Sequence, residues 1–343
     1  MVPVGSEEKV YPVLQIASVV GSLQAEGVAL GQALDRVDLS ESELNSPATR
    51  VSLNQVMQCC RNAVRHATAP DFAFRAGQRF HISTFGMYGF AILSCPNFRE
   101  TMTFISKYQQ LAAPFSDLSF KEERGSAVWT AVPVAQPDVD AALHRFLIEL
   151  QFSVGTTVFR DVMGSEFAPQ AIRVDFDEIA RSPPYHELVG CPVTFRQPDN
   201  QYLFDARWLD RTPELGNEVT YKAVLALCDN LMEEFQLRVG LVGKVREILL
   251  HNLARPSSVD AVARRLQMST RTLRRRLREE NSTFRGIMDD VRMRMAIKYL
   301  RDTDLTIDEI ASALGFSDAT SFQHAFRRWG IGAPSEFRRT VAA

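Results

Sequence analysis

The residue order predicts an α+β body followed by an all-α tandem helix-turn-helix unit. Three observations carry that class: helical periodicity gathered before residue 111, strand-like runs clustered between residues 115 and 204, and helical spacing from Asn217 to the end. At 343 residues, with 45% hydrophobic and 23% charged, the chain has the composition of a globular protein of two domains, each able to bury a core. No stretch approaches the ~18 to 20 consecutive apolar residues of a membrane span. The opening MVPVGSEEKV lacks the basic segment and apolar run of a secretory signal, so a cytoplasmic protein with no membrane partner is expected. The five cysteines, Cys59, Cys60, Cys95, Cys191 and Cys228, read as free buried thiols.

In the body, apolar residues at spacings of three and four mark helices over Val51–Val64 and Phe98–Leu111. Between them HISTFGMYGFAIL sets aromatics among two glycines, a mark of close packing. Phe115–Lys121 and Ala127–Val134 are β-rich runs, and the polar Glu122–Ser126, which holds Gly125, joins them as a hairpin. A helix is expected after Asp138 to about residue 163, with short strands at 171–176, 192–196 and Tyr202–Phe204. Helices first and strands later favour an antiparallel sheet over alternating βαβ units.

A near-neutral formal charge of -2 hides an asymmetry: residues 240–343 hold 19 basic and 12 acidic residues, leaving 20 basic and 29 acidic for the rest. A basic end on an acidic body points to a polyanion that meets only the end.

That end contains two similar units. Ser257 and Asp260 offer a capping-box-like start, with Val259, Val262 and Leu266 as an apolar stripe. Ser269 then caps TRTLRRRLREE, where inward Leu273 and Leu277 force Arg271, Arg274, Arg275 and Arg278 onto the other side. Four guanidinium groups on one face repel one another, an arrangement that phosphates and guanine edges explain. In the second unit Thr306 and Glu309 form a capping box, and Gly315 closes the helix in the left-handed conformation. Ser317 starts the next helix, with Phe322, Ala325, Phe326 and Trp329 inward and Ala319, Thr320, Gln323, His324 and Arg327 outward. The starts Ser269 and Ser317 lie 48 residues apart, a tandem repeat whose exposed residues, with Ser269, Thr270 and Ser317, are the candidate DNA-binding set. Phe284–Leu300 is an amphipathic helix between them.

SSVDAVARRLQMSTRTLRRRL followed by LTIDEIASALGFSDATSFQHAFRRWGIGAPSEFRR resembles the DNA-binding domain of the AraC/XylS family of bacterial transcription regulators. By position the resemblance implies base contacts from Arg271, Arg274 and Arg275 in the first reading helix, and from Ala319, Thr320 and His324 in the second. One departure is Ala333, where the family usually has Ser or Thr before the proline of the last helix; it removes a side-chain cap worth ~1 kcal/mol. FGMYGFAILSCPNFRETM, YHELVGCPVTF and QYLFDARWLD are similar to the arabinose-binding-like amino-terminal domain of a subgroup that includes ornithine and virulence regulators. The resemblance implies a small-molecule effector and dimerisation through this half, and the label is no evidence for arabinose. The expected organisation is an effector-binding and dimerisation domain over residues 1–215, a linker helix over 216–237, and a DNA-binding domain over 238–343.

For the effector, Arg75 and Arg79, with Arg99, are candidates to hold a carboxylate, against the more common fate of salt bridges. Phe85, Tyr88, Phe90 and Trp129 are candidates to line a pocket, against simple core packing. Arg264, Arg265, Arg292 and Arg294 read as a solvated face. No glycine-rich phosphate loop, GxSxG turn, HExxH helix or zinc spacing is present, so neither an enzyme nor a cofactor or metal is expected. The expected function is a sequence-specific regulator, with activation the favoured direction, working as a homodimer with double-stranded DNA, a small-molecule effector and RNA polymerase as partners. The rival readings are an effector-independent DNA-binding protein, or a DNA-repair enzyme fused to such a module, which would need a reactive cysteine.

Overall fold

The computed structural model describes residues 6–112, 116–134, 138–178, 184–280 and 282–341, so Phe115 of the expected hairpin lies outside the described residues. The chain divides into two compact units, Met1–Phe235 and Gln236–Ala343; the first takes in most of the segment read from sequence as a linker.

In the first unit β1 (Tyr11–Pro12) pairs antiparallel with β2 (Arg50–Val51), bracketing α1 (Leu14–Ala25), α2 (Leu30–Ala33) and α3 (Glu41–Leu44). α4 (Leu53–His66) starts in a capping box: Ser52 Oγ accepts from the Gln55 N–H at 3.2 Å and Gln55 Oε1 from the Ser52 N–H at 3.0 Å. α5 (Phe72–Gly77), α6 (Gly86–Ser94) and α7 (Phe98–Tyr108) follow, α7 capped by Asn97, which accepts from the Glu100 N–H at 2.9 Å.

The main sheet holds β3 (Ser116–Glu123), β4 (Ser126–Pro133), β5 (Ala171–Arg173), β6 (Val193–Thr194) and β7 (Gln201–Asp205), in the order β3-β4-β7-β5-β6. Arg124 (φ 49°) and Gly125 (φ 82°) form the two-residue turn between β3 and β4. Both are left-handed, as a twist-matched hairpin turn requires. The sheet is mixed: every pair is antiparallel except β5–β6, which is parallel. A parallel pair needs a crossover, supplied here by the segment that contains α9 (Tyr185–Val189). Strands of two and three residues are too short to announce that arrangement in sequence.

α8 (Ala141–Met163) is capped by Asp140, which accepts from the Leu143 N–H at 2.8 Å, and packs on β4 and α5. Gly155 permits the approach to β4, because a Cβ there would stand 2.4 Å from the Trp129 ring. One turn on, Phe159 meets Phe98, Trp129 and Phe167 with ring centroids at 5.3, 5.2 and 5.4 Å. α10 (Glu218–Arg238) buries Val224, Cys228 and Phe235, the last 5.5 Å from the Tyr11 ring.

The second unit comprises α11 (Gly240–Leu250), α12 (Val259–Arg265), α13 (Thr270–Glu279), α14 (Phe284–Asp302), α15 (Ile307–Ala313), α16 (Ala319–Arg328) and α17 (Pro334–Val341). One apolar cluster runs through it, from Leu241 and Val245 through Leu273, Leu277, Val291 and Ala296 to Ile310, Phe322 and Phe326. Two caps sit one residue later than the sequence pattern suggests. Ser258, not Ser257, caps α12, and Asp318, not Ser317, caps α16 by accepting from the Ser321 N–H at 2.7 Å. Thr306 and Glu309 form the expected capping box on α15. α17 forms without a Ser or Thr cap: Phe337 packs 5.9 Å from Phe326, and Arg338 donates to the Leu305 carbonyl at 2.6 Å.

The repeat extends to the backbone of the turns. Gln267 (φ 54°) and Gly315 (φ 70°) take the same left-handed position. The next N–H then reaches back, Met268 to Ala263 O and Phe316 to Ala311 O, both at 2.9 Å. Glycine is required at 315, since a Cβ would lie 2.6 Å from the Leu253 carbonyl oxygen. Gly315→Ala should therefore cost about 2 kcal/mol or more, combining left-handed strain with that collision. Urea unfolding of the full chain measures it; a loss below about 0.5 kcal/mol would show that the Leu253 segment simply moves aside.

Candidate functional site

In α13 Leu273 and Leu277 are fully buried, and Arg271, Arg274, Arg275 and Arg278 are exposed. Arg276, absent from the sequence-derived set, is exposed beside them. Of the five, Arg275 pairs with Glu279 one turn on; the other four have no carboxylate in salt-bridge range among the described residues. Like charges on one face repel, and among the described residues only Arg275 is offset by a carboxylate, the condition for an anion-binding surface. Ser269 is exposed but committed to structure, accepting from the Thr272 N–H at 3.1 Å. Half-buried Thr270 donates from Oγ1 to Asp260, tying α13 to α12.

α16 repeats this arrangement with less charge. Phe322, Ala325 and Phe326 are buried; Thr320, His324 and Arg327 are exposed, and Ala319 and Gln323 are half-buried. Ser317 is exposed and donates to Asp318 Oδ2 at 2.8 Å, so it supports the cap.

Arg292 departs from the solvated-face reading. From α14 its Nε donates to the Leu314 carbonyl at 2.9 Å, its Nη2 to the Gly315 carbonyl at 2.8 Å, and its guanidinium lies 4.5 Å from the Phe316 ring centre. Burial lowers its pKa from the ordinary arginine value. The side chain holds the turn that precedes the second reading helix.

In the first unit, Phe85, Tyr88 and Trp129 meet around a small cavity of about 40 Å³. Arg75, Arg79 and Phe90 are not brought to it. Arg75 is paired on the surface with Glu26 and Asp71, Arg79 donates to the Gly21 carbonyl at 3.0 Å, and Phe90 is 47% exposed. Arg99 pairs with Glu122 and Asp210. The remaining wall is apolar, from Ile92, Ile105, Leu118, Val154 and Val158, with two residues that sequence reasoning missed, Gln15 and Gln151. Gln15 Oε1, Gln151 Oε1 and Trp129 Nε1 are buried without a hydrogen-bond partner. Each such group costs about 1–3 kcal/mol until something pairs it. A glutamine inside the apolar IELQFSV run was the available signal.

All five cysteines are free and buried, and burial raises every thiol pKa: Cys60 and Cys95 to about 12, Cys191 and Cys228 to about 11, and Cys59 well above its ordinary value. Such thiols are inert as nucleophiles. Among the described residues no cluster of His, Cys, Asp or Glu is placed to hold a metal, and no helix is long and apolar enough to cross a membrane.

Residues 27–213 match the family model of the arabinose-binding domain of AraC transcription regulator, N-term, and residues 262–340 match a helix-turn-helix domain model. The chain is 29% identical to the ornithine utilization regulator of Pseudomonas aeruginosa over 347 aligned positions, covering 98% of each. It is 28% identical to the regulator VqsM of the same organism, over 77% of this chain and 82% of that one. The crystal structure of the transcriptional regulator CdpR from Pseudomonas aeruginosa shares the fold, with a TM-score of 0.50, 23% identity, and coverage of 94% of this chain and 96% of that chain.

The Arg292 geometry predicts that Arg292→Lys, which keeps the charge but loses the planar fork, lowers stability by about 1–3 kcal/mol. Thermal and urea unfolding test this, and a lysine variant as stable as the parent would show that the carbonyl contacts contribute nothing.

Proposed function

From its membership of the AraC transcription regulators, which makes this chain a DNA-binding regulator of transcription and not an enzyme, we propose how it reads DNA and what controls it. It is a sequence-specific activator whose two reading helices, α13 and α16, enter successive major grooves. The observation that carries this reading is a row of guanidinium groups, of which only Arg275 meets a carboxylate among the described residues, on a capped helix whose other face belongs to the unit's core. The 19 residues of α14 span about 28 Å at ~1.5 Å per residue, close to the ~34 Å repeat of the duplex.

Arg271, Arg274 and Arg275 of α13 meet base edges, as do Ala319, Thr320 and His324 of α16. For Arg275 this means exchanging Glu279 for DNA. Arg278 and Arg327 meet phosphate, while Ser269, Thr270, Ser317 and Gln323 position the helix starts or flank the contacts. The N-terminal unit binds a small-molecule effector, and occupancy changes how the DNA-binding unit engages its site and RNA polymerase.

The working form is a homodimer. α10 supports this with the apolar side chains of Val219, Leu227 and Leu231, 80%, 46% and 41% exposed, beside the buried Val224, Cys228 and Phe235. Exposed apolar side chains on a 21-residue helix suit pairing with a second copy.

Band shifts on the DNA upstream of its own and neighbouring genes test sequence-specific binding; equal affinity for scrambled DNA would sink it. Arg274→Ala should relax preference at one base position by ~1 to 3 kcal/mol, whereas Arg278→Ala should weaken all sequences alike and flatten the salt dependence. Identical behaviour of the two variants would refute that division. Leu227→Glu with Leu231→Glu should give a monomer in sedimentation equilibrium; an unchanged mass would remove α10 from the interface.

A further inference from the structure

We propose that Gln323 of α16 reads an adenine in the major groove as the structural counterpart of Arg274, at a position one duplex turn, roughly 10 base pairs, from the guanine that Arg274 reads. The assignment rests on the DNA-reading function proposed above and gives Gln323 a base of its own, beyond a flanking place.

The register of the repeat carries it. α12 and α15 start 48 residues apart, at Val259 and Ile307, and the left-handed turn residues Gln267 and Gly315 keep that spacing. The reading helices do not. Their caps, Ser269 and Asp318, lie 49 residues apart, as do the fully buried pairs Leu273 with Phe322 and Leu277 with Phe326. The second turn thus holds one residue more, Ser317, and α16 is displaced by one position relative to the sequence repeat. Exposure follows the same pairing: Ser269 and Asp318 are exposed, Thr270 and Ala319 half-buried, Arg271 and Thr320 exposed, Thr272 and Ser321 half-buried. At this offset Arg271, Arg274, Arg275 and Arg278 correspond to Thr320, Gln323, His324 and Arg327. Gln323 therefore shares a face with Thr320 and Arg327, three residues from one and four from the other.

The side chain is also uncommitted. Ser321 donates to Asp318 Oδ2 at 3.1 Å and so serves the cap, whereas no described group hydrogen-bonds the Gln323 amide. Its chemistry selects the base. An amide offers one donor and one acceptor in a plane, the complement of adenine N7 and the N6 amino group, while guanine presents two acceptors, N7 and O6, and suits the paired donors of Arg274. Equivalent positions on two equivalent helices thus read different bases.

Selection of duplexes from a random library by the full chain, followed by band shifts, tests the assignment. Selected sites should hold an adenine roughly 10 base pairs from the guanine whose preference Arg274→Ala relaxes. Gln323→Leu, which keeps the volume, should lose the preference for that adenine alone and weaken binding to the selected site about five- to 100-fold. Gln323→Glu should instead favour cytosine there, since a carboxylate accepts from its amino group. Replacing the adenine by 7-deazaadenine, which lacks the N7 acceptor, should weaken the parent about two- to tenfold and leave Gln323→Leu unaffected.

Unchanged base preferences in a folded Gln323→Leu overturn the assignment, as does lost preference at a base other than adenine, or equal response of parent and variant to 7-deazaadenine. If the variants fail to fold, the parent decides: sensitivity at the adenine one turn from the guanine upholds the assignment, and insensitivity at every adenine of the site overturns it. Failure of the underlying reading looks different. A parent that selects no sequence removes sequence-specific binding altogether, whereas Arg274→Ala relaxing one position while Gln323→Leu relaxes none removes the Gln323 contact and leaves the reading standing.

Discussion

One apolar core shared by two motifs is the constraint on which the DNA-facing half depends. Leu273 and Leu277 of α13 and Phe322 and Phe326 of α16 belong to the same cluster, joined through Val291 and Ala296 of α14. Neither reading helix can turn without withdrawing buried apolar side chains, each worth about 1.5–3 kcal/mol, from that cluster. The outward residues are therefore fixed by what lies inward. Local devices sharpen the placement: a cap at Ser269 and at Asp318, a left-handed residue in each turn, and Arg292 reaching from α14 to the carbonyls that end α15.

The N-terminal unit solves a different problem. Its aromatic layer around Phe159 is close-packed, yet beside it the chain keeps a small cavity and three buried polar atoms that no described group pairs. Cores seldom retain such groups without a use for them. The second half displays its charged groups outward, which fits a polyanion.

The C-terminal half was legible in sequence because its signals are local. Spacings of three and four residues put Leu273, Leu277, Phe322 and Phe326 on buried faces, and the Thr306–Glu309 box and the Gly315 turn lie where the pattern places them. Cap positions slipped by one residue at Ser257 and Ser317, since adjacent residues there, Ser258 and Asp318, have equally suitable oxygens. Arg292 was misread because a helix face says nothing about which carbonyls a long side chain reaches from it.

Sequence alone determined the two-part architecture, the helical repeat and the charged face, because periodicity, capping chemistry and charge are properties of neighbouring residues. Tertiary structure alone decided the mixed strand order, the union of Gln15, Trp129 and Gln151 around one cavity, and the removal of Arg75, Arg79 and Phe90 from it. Those outcomes rest on contacts between residues up to 136 positions apart, as Gln15 and Gln151 are. Only packing brings such groups together, through short strands and a glycine-permitted approach that leave almost no trace in local pattern.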